Sequence, residues 1–165
     1  MADSNDLVLE RTLDAPVELV WKACTDPAHL KHWFAPKPYE ISEIELDLKP
    51  GGIFRIRMTG PDGFDTGHGV PGCVLEVVPQ QRLVWSSGLG PGFRPNPTGE
   101  GCESFPMTAV MTFADAGNGK TAYKAVALHK DAADKEAHEK MGFHDGWGTT
   151  ARQLEELAQT LTANA

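Results

Sequence analysis

The sequence has no run of apolar residues approaching the roughly 20 that a membrane-spanning helix needs, and no secretory signal pattern. It is poor in cysteine. Cys24, Cys73 and Cys102 are three in all and widely spaced, which fits reduced thiols in a cytoplasm better than a disulfide framework. It is also short of positive charge: the net −8 repels nucleic acid and anionic membrane alike, and no basic stripe with interleaved aromatics appears. Motifs for phosphate cradling (GxGxxG, P-loop), for a nucleophile elbow (GxSxG) and for a CxxC metal pair are missing. His129, His138 and His144 have eight and then five residues between them, no recognised ligand spacing. His138-Glu139 lacks the second histidine of a zinc-protease helix, Gly142 standing in its place. No metal and no cofactor is expected.

What is present is enough for one domain. A chain of 165 residues buries roughly 70% of its unfolded surface without metal or disulfide help. Neither a repeat nor a linker divides it, so a single domain over 7–162 is expected, with Met1 to Asp6 and Thr162 to Ala165 fraying. A strand from Leu7 to Leu13 leads into two short helices. Pro16 suits the first turn of one, where a missing N–H is not felt, and Leu19, Val20 and Ala23 follow at helical spacing. Asp26-Pro27 starts the other, with Leu30, Trp33 and Phe34 on its apolar side and Pro36 to Pro38 ending it.

Alternation takes over beyond the prolines. Ile44, Leu46 and Leu48 alternate with charged residues, and Pro50-Gly51-Gly52 makes a turn. Phe54, Ile56 and Met58 then face the core, which places Arg55 and Arg57 on the outer face. A strand from Thr66 to Val78 contains Pro71-Gly72, read as a bulge, so the face of His68 is not fixed. Leu83, Trp85 and Ser87 share a face, as do Phe105, Met107, Ala109, Met111 and Phe113. The last strand aligns Tyr123, Ala125, Ala127 and His129, with Lys124 opposite. One long helix from about Ala133 to Leu161 closes the chain, with Phe143, Trp147, Ala151, Leu154, Ala158 and Leu161 on one face.

The stretch Ala15 to Pro36, together with Pro50 to Gly63, Val74 to Trp85 and Met141 to Trp147, resembles the START-like, polyketide-cyclase-type (SRPBCC) superfamily. The likeness is greatest to the branch of the activator of a heat-shock chaperone's ATPase. The resemblance implies an α+β helix-grip fold: a curved antiparallel sheet wrapped around the C-terminal helix, closed by the two short helices. Fold alone does not fix function.

The resemblance also implies an internal cavity for an apolar or aromatic ligand. Large walls facing Ala109, Ala125, Ala127 and Gly148 are expected to leave that space, lined by Trp33, Phe34, Phe54, Trp85, Met107, Met111, Tyr123, Phe143 and Trp147. The alternative is that these residues pack only against one another as core. His129 should point inward near the sheet's end. His144 falls within about 60° of the helix's apolar stripe, so the two imidazoles would meet near the cavity mouth. There they would bind an anionic or phenolic ligand, or exchange protons, with Tyr123 assisting; alternatively each is simply a hydrogen-bonded histidine.

The segment Gly88 to Glu103 is long for a strand connection; Phe93 and Arg94 would cover the cavity mouth, meet a second subunit, or be solvated. Gly142, Gly146 and Gly148 weaken a helix and require either close approach of the sheet or ligand, or a helix break near Gly142. The leading expectation is a binder of a small hydrophobic or aromatic molecule. A cyclase or hydrolase-like enzyme using His129 and a co-chaperone-type interaction protein are the rivals. A symmetric homodimer through exposed strand edges is expected over a monomer.

Overall fold

The computed structural model describes residues 3–97 and 105–163. Cys102 and the later part of the Gly88 to Glu103 segment lie outside the described residues. Strand β1 (Asp6–Leu13) is followed by α1 (Val17–Thr25) and α2 (Pro27–Leu30), then by β2 (Glu40–Leu46), β3 (Ile53–Thr59), β4 (Gly72–Val78) and β5 (Arg82–Ser86). A ribbon of β6 (Leu89–Gly90) and β7 (Arg94–Pro95) precedes β8 (Thr108–Gly117) and β9 (Lys120–Leu128). Helices α3 (Ala132–Lys140) and α4 (Phe143–Ala163) complete the chain. The main sheet has seven strands in the order β1-β9-β8-β5-β4-β3-β2, and every pairing in it is antiparallel.

Local signals explain most of these boundaries. The Asp26 side chain accepts from the Ala28 N–H and Pro27 stands at the first helical position of α2, as the sequence indicates. Pro16 is extended and precedes α1 rather than entering its first turn. Alternation places Phe54 in the core while Arg55 and Arg57 pair with Glu43, Glu45 and Asp65 on the other face of β3. Arg57 Nη2 lies 2.7 Å from Asp65 Oδ2, and this partner holds the Asp65 carboxyl well below its ordinary range.

Three expectations change. The strand expected from Thr66 begins only at Gly72, and its bulge falls between Val74 and Glu76, not at Pro71-Gly72. A Cβ on Gly72 would come within 2.9 Å of both the Phe54 and Ser86 carbonyl oxygens, so glycine is required where three strands crowd together. His68 stays in the preceding loop, exposed, beside Arg55 and Glu43. Within the segment expected to fray at the start of the chain, the described residues are tied down: Asp3 N–H donates to Asp6, and the Ser4 carbonyl accepts from Lys135 Nζ.

The third change matters most for the site. The long C-terminal helix is two helices, broken after Met141 by Gly142 at φ +95°, a left-handed value that suits glycine as the residue after a helix end. The stripe Phe143, Ala151, Leu154 and Ala158 of α4 is fully buried, with Trp147, Leu157 and Leu161 packed at its margin. It packs against α1 and β1, and β9, next to β1 in the sheet, carries small residues. Ala125 stands opposite Leu9 and Met111, and Ala127 opposite Leu7 and Ala109.

Candidate functional site

The residues picked out as a cavity lining fall into two aromatic groups and a buried middle. Phe34, Phe54 and Trp85 form the first group, with ring centroids 4.8 Å apart for Phe54–Trp85 and 5.6 Å for Phe34–Phe54. Phe34 comes from the turn after α2, which ends at Leu30 rather than continuing toward Pro36, Phe54 comes from β3 and Trp85 from β5, so this cluster joins the short helices to the sheet. The small space beside it is lined by Cys24, Leu30, Phe34, Leu46, Phe54, Val74, Leu83, Trp85 and Met111, all apolar side chains apart from the Cys24 thiol, and measures about 10 Å³. That is less than the room one water molecule requires.

Several of the residues expected to line a cavity between α4 and the strand bearing Met107 meet one another instead. Ala109, Ala125, Ala127, Met107, Met111, Phe143 and Leu154 belong to one contiguous buried core. Gly148 marks the close approach of α4 to β1, since a Cβ there would lie 3.4 Å from an Arg11 guanidinium nitrogen.

The second aromatic group surrounds two histidines. His129 is buried at the end of β9, as alternation indicates, but its neighbour is His138 of α3, not His144. His138 Nδ1 and His129 Nε2 are 2.9 Å apart, and His129 Nδ1 is 2.9 Å from the Asn5 carbonyl oxygen. A carbonyl only accepts, so His129 Nδ1 carries a proton; neutral His129 then accepts at Nε2, and His138 Nδ1–H is the donor. Phe105, Phe143 and Trp147 enclose His138 at ring-centroid distances of 5.0, 5.2 and 5.8 Å. Burial, and secondarily the neighbouring His129, push the His138 pKa down to about 4.

His144 stands exposed on α4, with Nε2 3.7 Å from a Glu139 carboxylate oxygen, and takes no part in the pair. Tyr123 also lies apart, against Phe113 at 5.7 Å and close to Cys24. Burial raises both the Tyr123 hydroxyl and the Cys24 thiol well above their ordinary values, so neither ionises near neutrality. The expected catalytic constellation of His129 with His144 or Tyr123 is not assembled. Among the described residues no three His, Cys, Asp or Glu side chains gather as a metal site.

Two features went unread in the sequence. Gln153, buried on α4, donates from Nε2 to the Trp33 and Ala35 carbonyls and accepts at Oε1 from the Lys37 N–H. It clamps the segment that carries Phe34 onto α4. Trp33 itself is buried, its indole N–H donating to the Ala23 carbonyl at 2.8 Å. Phe93, half exposed, does not cover the cavity: it lies over the turn at Gly51, where an added Cβ would come within 3.1 Å of its ring. A separate, wide-open groove of about 520 Å³ beside the β4–β5 turn is lined by residues such as Val17, Gln81, Arg82, Phe113 and Asp115, none of them a predicted site residue.

A curved seven-stranded antiparallel sheet with a long C-terminal helix against it defines the helix-grip class of α+β domains. The chain belongs to the family described as Activator of Hsp90 ATPase homolog 1-like proteins, whose model matches residues 14–159. The superfamily around it is known for ligand-binding domains. A solved structure of a Nitrosomonas europaea protein is 42% identical, covers 98% of this chain and 99% of its own, and has a TM-score of 0.87. A Mycobacterium smegmatis protein is 25% identical over 94% of this chain and 91% of its own, with a TM-score of 0.73. A Rhodobacter sphaeroides protein, 20% identical and covering 97% of each chain, shares the fold at a TM-score of 0.77. No curated protein matches the chain. Among the described residues no helix is long and apolar enough to cross a membrane.

Proposed function

We propose that the protein binds a small hydrophobic or aromatic molecule between α2 and the sheet, at the Phe34–Phe54–Trp85 cluster. The observation that carries this reading is an apolar void of about 10 Å³ bounded by three mutually tilted rings, two of which, Phe34 and Trp85, are only partly buried. Half-buried rings at the rim of an apolar space can swing outward at modest cost, and a flat ligand then replaces ring–ring contact with ring–ligand contact. Met111 supplies an adaptable wall beneath them. Calorimetric titration with 1-naphthol tests the proposal. Saturable binding with a negative heat-capacity change is expected, strengthened roughly tenfold in Phe34→Ala, where the lost ring makes room. Absence of saturation in both proteins contradicts it.

An enzymatic role for His129 finds less support, because both ring nitrogens are engaged and no carboxylate or Tyr123 hydroxyl stands beside it. A chaperone-interaction role is favoured by one observation besides the family's description. Tyr39 and Phe64 form an exposed edge-to-face pair at 5.1 Å on one side of the molecule. Stimulation of an Hsp90-class ATPase, lost in Tyr39→Ala and Phe64→Ala, would favour that reading over the binder. Strand β2, at the sheet's edge, supports a symmetric dimer, which sedimentation at micromolar concentration checks.

A further inference from the structure

We propose that α3 is a strap over one end of the helix–sheet interface, held down by the His129–His138 hydrogen bond and released when His138 takes up a proton. Helix α3 is a polar segment from Ala132 to Lys140 whose one buried residue is His138. Such a helix has little apolar burial to hold it in place, so its attachment depends on what that imidazole does. It starts at the Asp131 cap, which accepts from the Asp134 N–H, and ends at the left-handed Gly142. Both ends are thus turns at which the strap can swing.

The pair is built for the neutral state. From the Asn5 carbonyl outward, each nitrogen in the chain Asn5 O, His129 Nδ1, His129 Nε2, His138 Nδ1 has one role, and the sequence of donors and acceptors closes without a conflict. A proton on His138 Nε2, the nitrogen left over, places a cation among Phe105, Phe143 and Trp147. That charge favours an α3 that has lifted away and hydrated its imidazole. The depression of His138 to about 4 agrees with this.

The charged groups around the pair do not neutralise it. On β1 and the preceding turn, Asp6 accepts from the Asp3 N–H. Beyond β9, Lys130 is tied to Asp131 and to Asp134 of α3. On α3, Lys135 reaches the Ser4 carbonyl, and Glu139 faces His144 of α4, which is followed by Asp145. Neither His129 nor His138 has a carboxylate within ion-pair distance among the described residues. The Glu139–His144 contact ties α3 to α4 and so works against release, but both side chains are exposed and solvent screens it. Opening uncovers Phe105, Phe143 and Trp147. Release of α3 is independent of any ligand at the Phe34–Phe54–Trp85 end.

Amide hydrogen exchange at pH 7.5 and pH 5, corrected for intrinsic chemical rates, tests the proposal on the unmodified protein. With an unfolded value of 6.5 and a folded value of about 4, the opening constant of α3 is expected to rise about thirtyfold between those pH values, while β8 and α1 keep their protection. His138→Asn, whose amide nitrogen stands where Nδ1 stood, should keep the donor and lose the pH dependence. The proposal is overturned if α3 protection does not change with pH, if β8 opens in parallel with α3, or if His138→Asn retains the wild-type pH response.

Discussion

The two aromatic clusters of this domain are built from the same rings and differ in what the rings surround. Around Phe34, Phe54 and Trp85 there is an apolar space and no titratable group but a Cys24 thiol held neutral by burial. Around Phe105, Phe143 and Trp147 there is a pair of imidazoles joined by one hydrogen bond. A cluster whose polar hydrogens are only the Trp85 indole N–H and the Cys24 thiol can give way to a flat apolar body of the right size. A cluster closed on a polar pair responds to protons instead, because the ring walls that exclude water also make a charge costly. One sheet and one helix thus carry an end tuned to shape and an end tuned to pH.

The comparison breaks most severely at Phe143, which is buried, stacks at 4.6 Å on Trp147 and meets His138 edge-to-face. Phe143→Ala should destabilise the fold by about 3–5 kcal/mol in urea unfolding and remove the wall of the histidine end, leaving the other end formed.

Acid is the next lever. Because the folded His138 pKa lies below its unfolded value, the native state binds fewer protons between pH 6.5 and about 4. Its contribution is whole above 6.5 and lost as pH falls through that window, on the order of 3 kcal/mol, and His138→Asn should remove that part of the pH dependence in urea titrations.

At the apolar end, Gln153→Ala strips three hydrogen bonds from the segment carrying Phe34, and should cost about 2 kcal/mol. It should weaken 1-naphthol binding and leave the pH response of α3 untouched; an altered pH response would mean the two ends are coupled. Smallest is Gly142→Ala, expected to cost about 1 kcal/mol through its positive φ, and to show as faster exchange in α3 alone.

Much of the sheet was legible in the residues. Alternation along Phe54 to Ile56, Phe105 to Phe113 and Tyr123 to His129 gives the correct inward faces, and Asp26-Pro27 gives the second short helix. The histidine pair was not legible, for a geometric reason. On one continuous helix His138, five residues before Phe143, lies about 140° from it and so off the buried stripe. The break at Gly142 resets that angle and turns His138 inward. Asp131 as an N-cap and Gly142 as the residue after a helix end are ordinary start and stop signals that would have separated the two helices. A cavity was not legible there, because small residues on β9 do not say whether a helix will stand off or move in. Gln153 carries no local signal at all, since its partners at 33, 35 and 37 are remote in the chain.

The most direct test of the proposed function follows both clusters in one titration. In a methyl and aromatic NMR titration with 1-naphthol at pH 7.5, the Met111 methyl, the Trp85 indole and the Phe34 ring are expected to shift together and saturate. The His129 and His138 ring resonances are expected to stay where they are. Movement of the histidine resonances with Met111 and Trp85 unmoved would place the ligand at the other end and contradict the account.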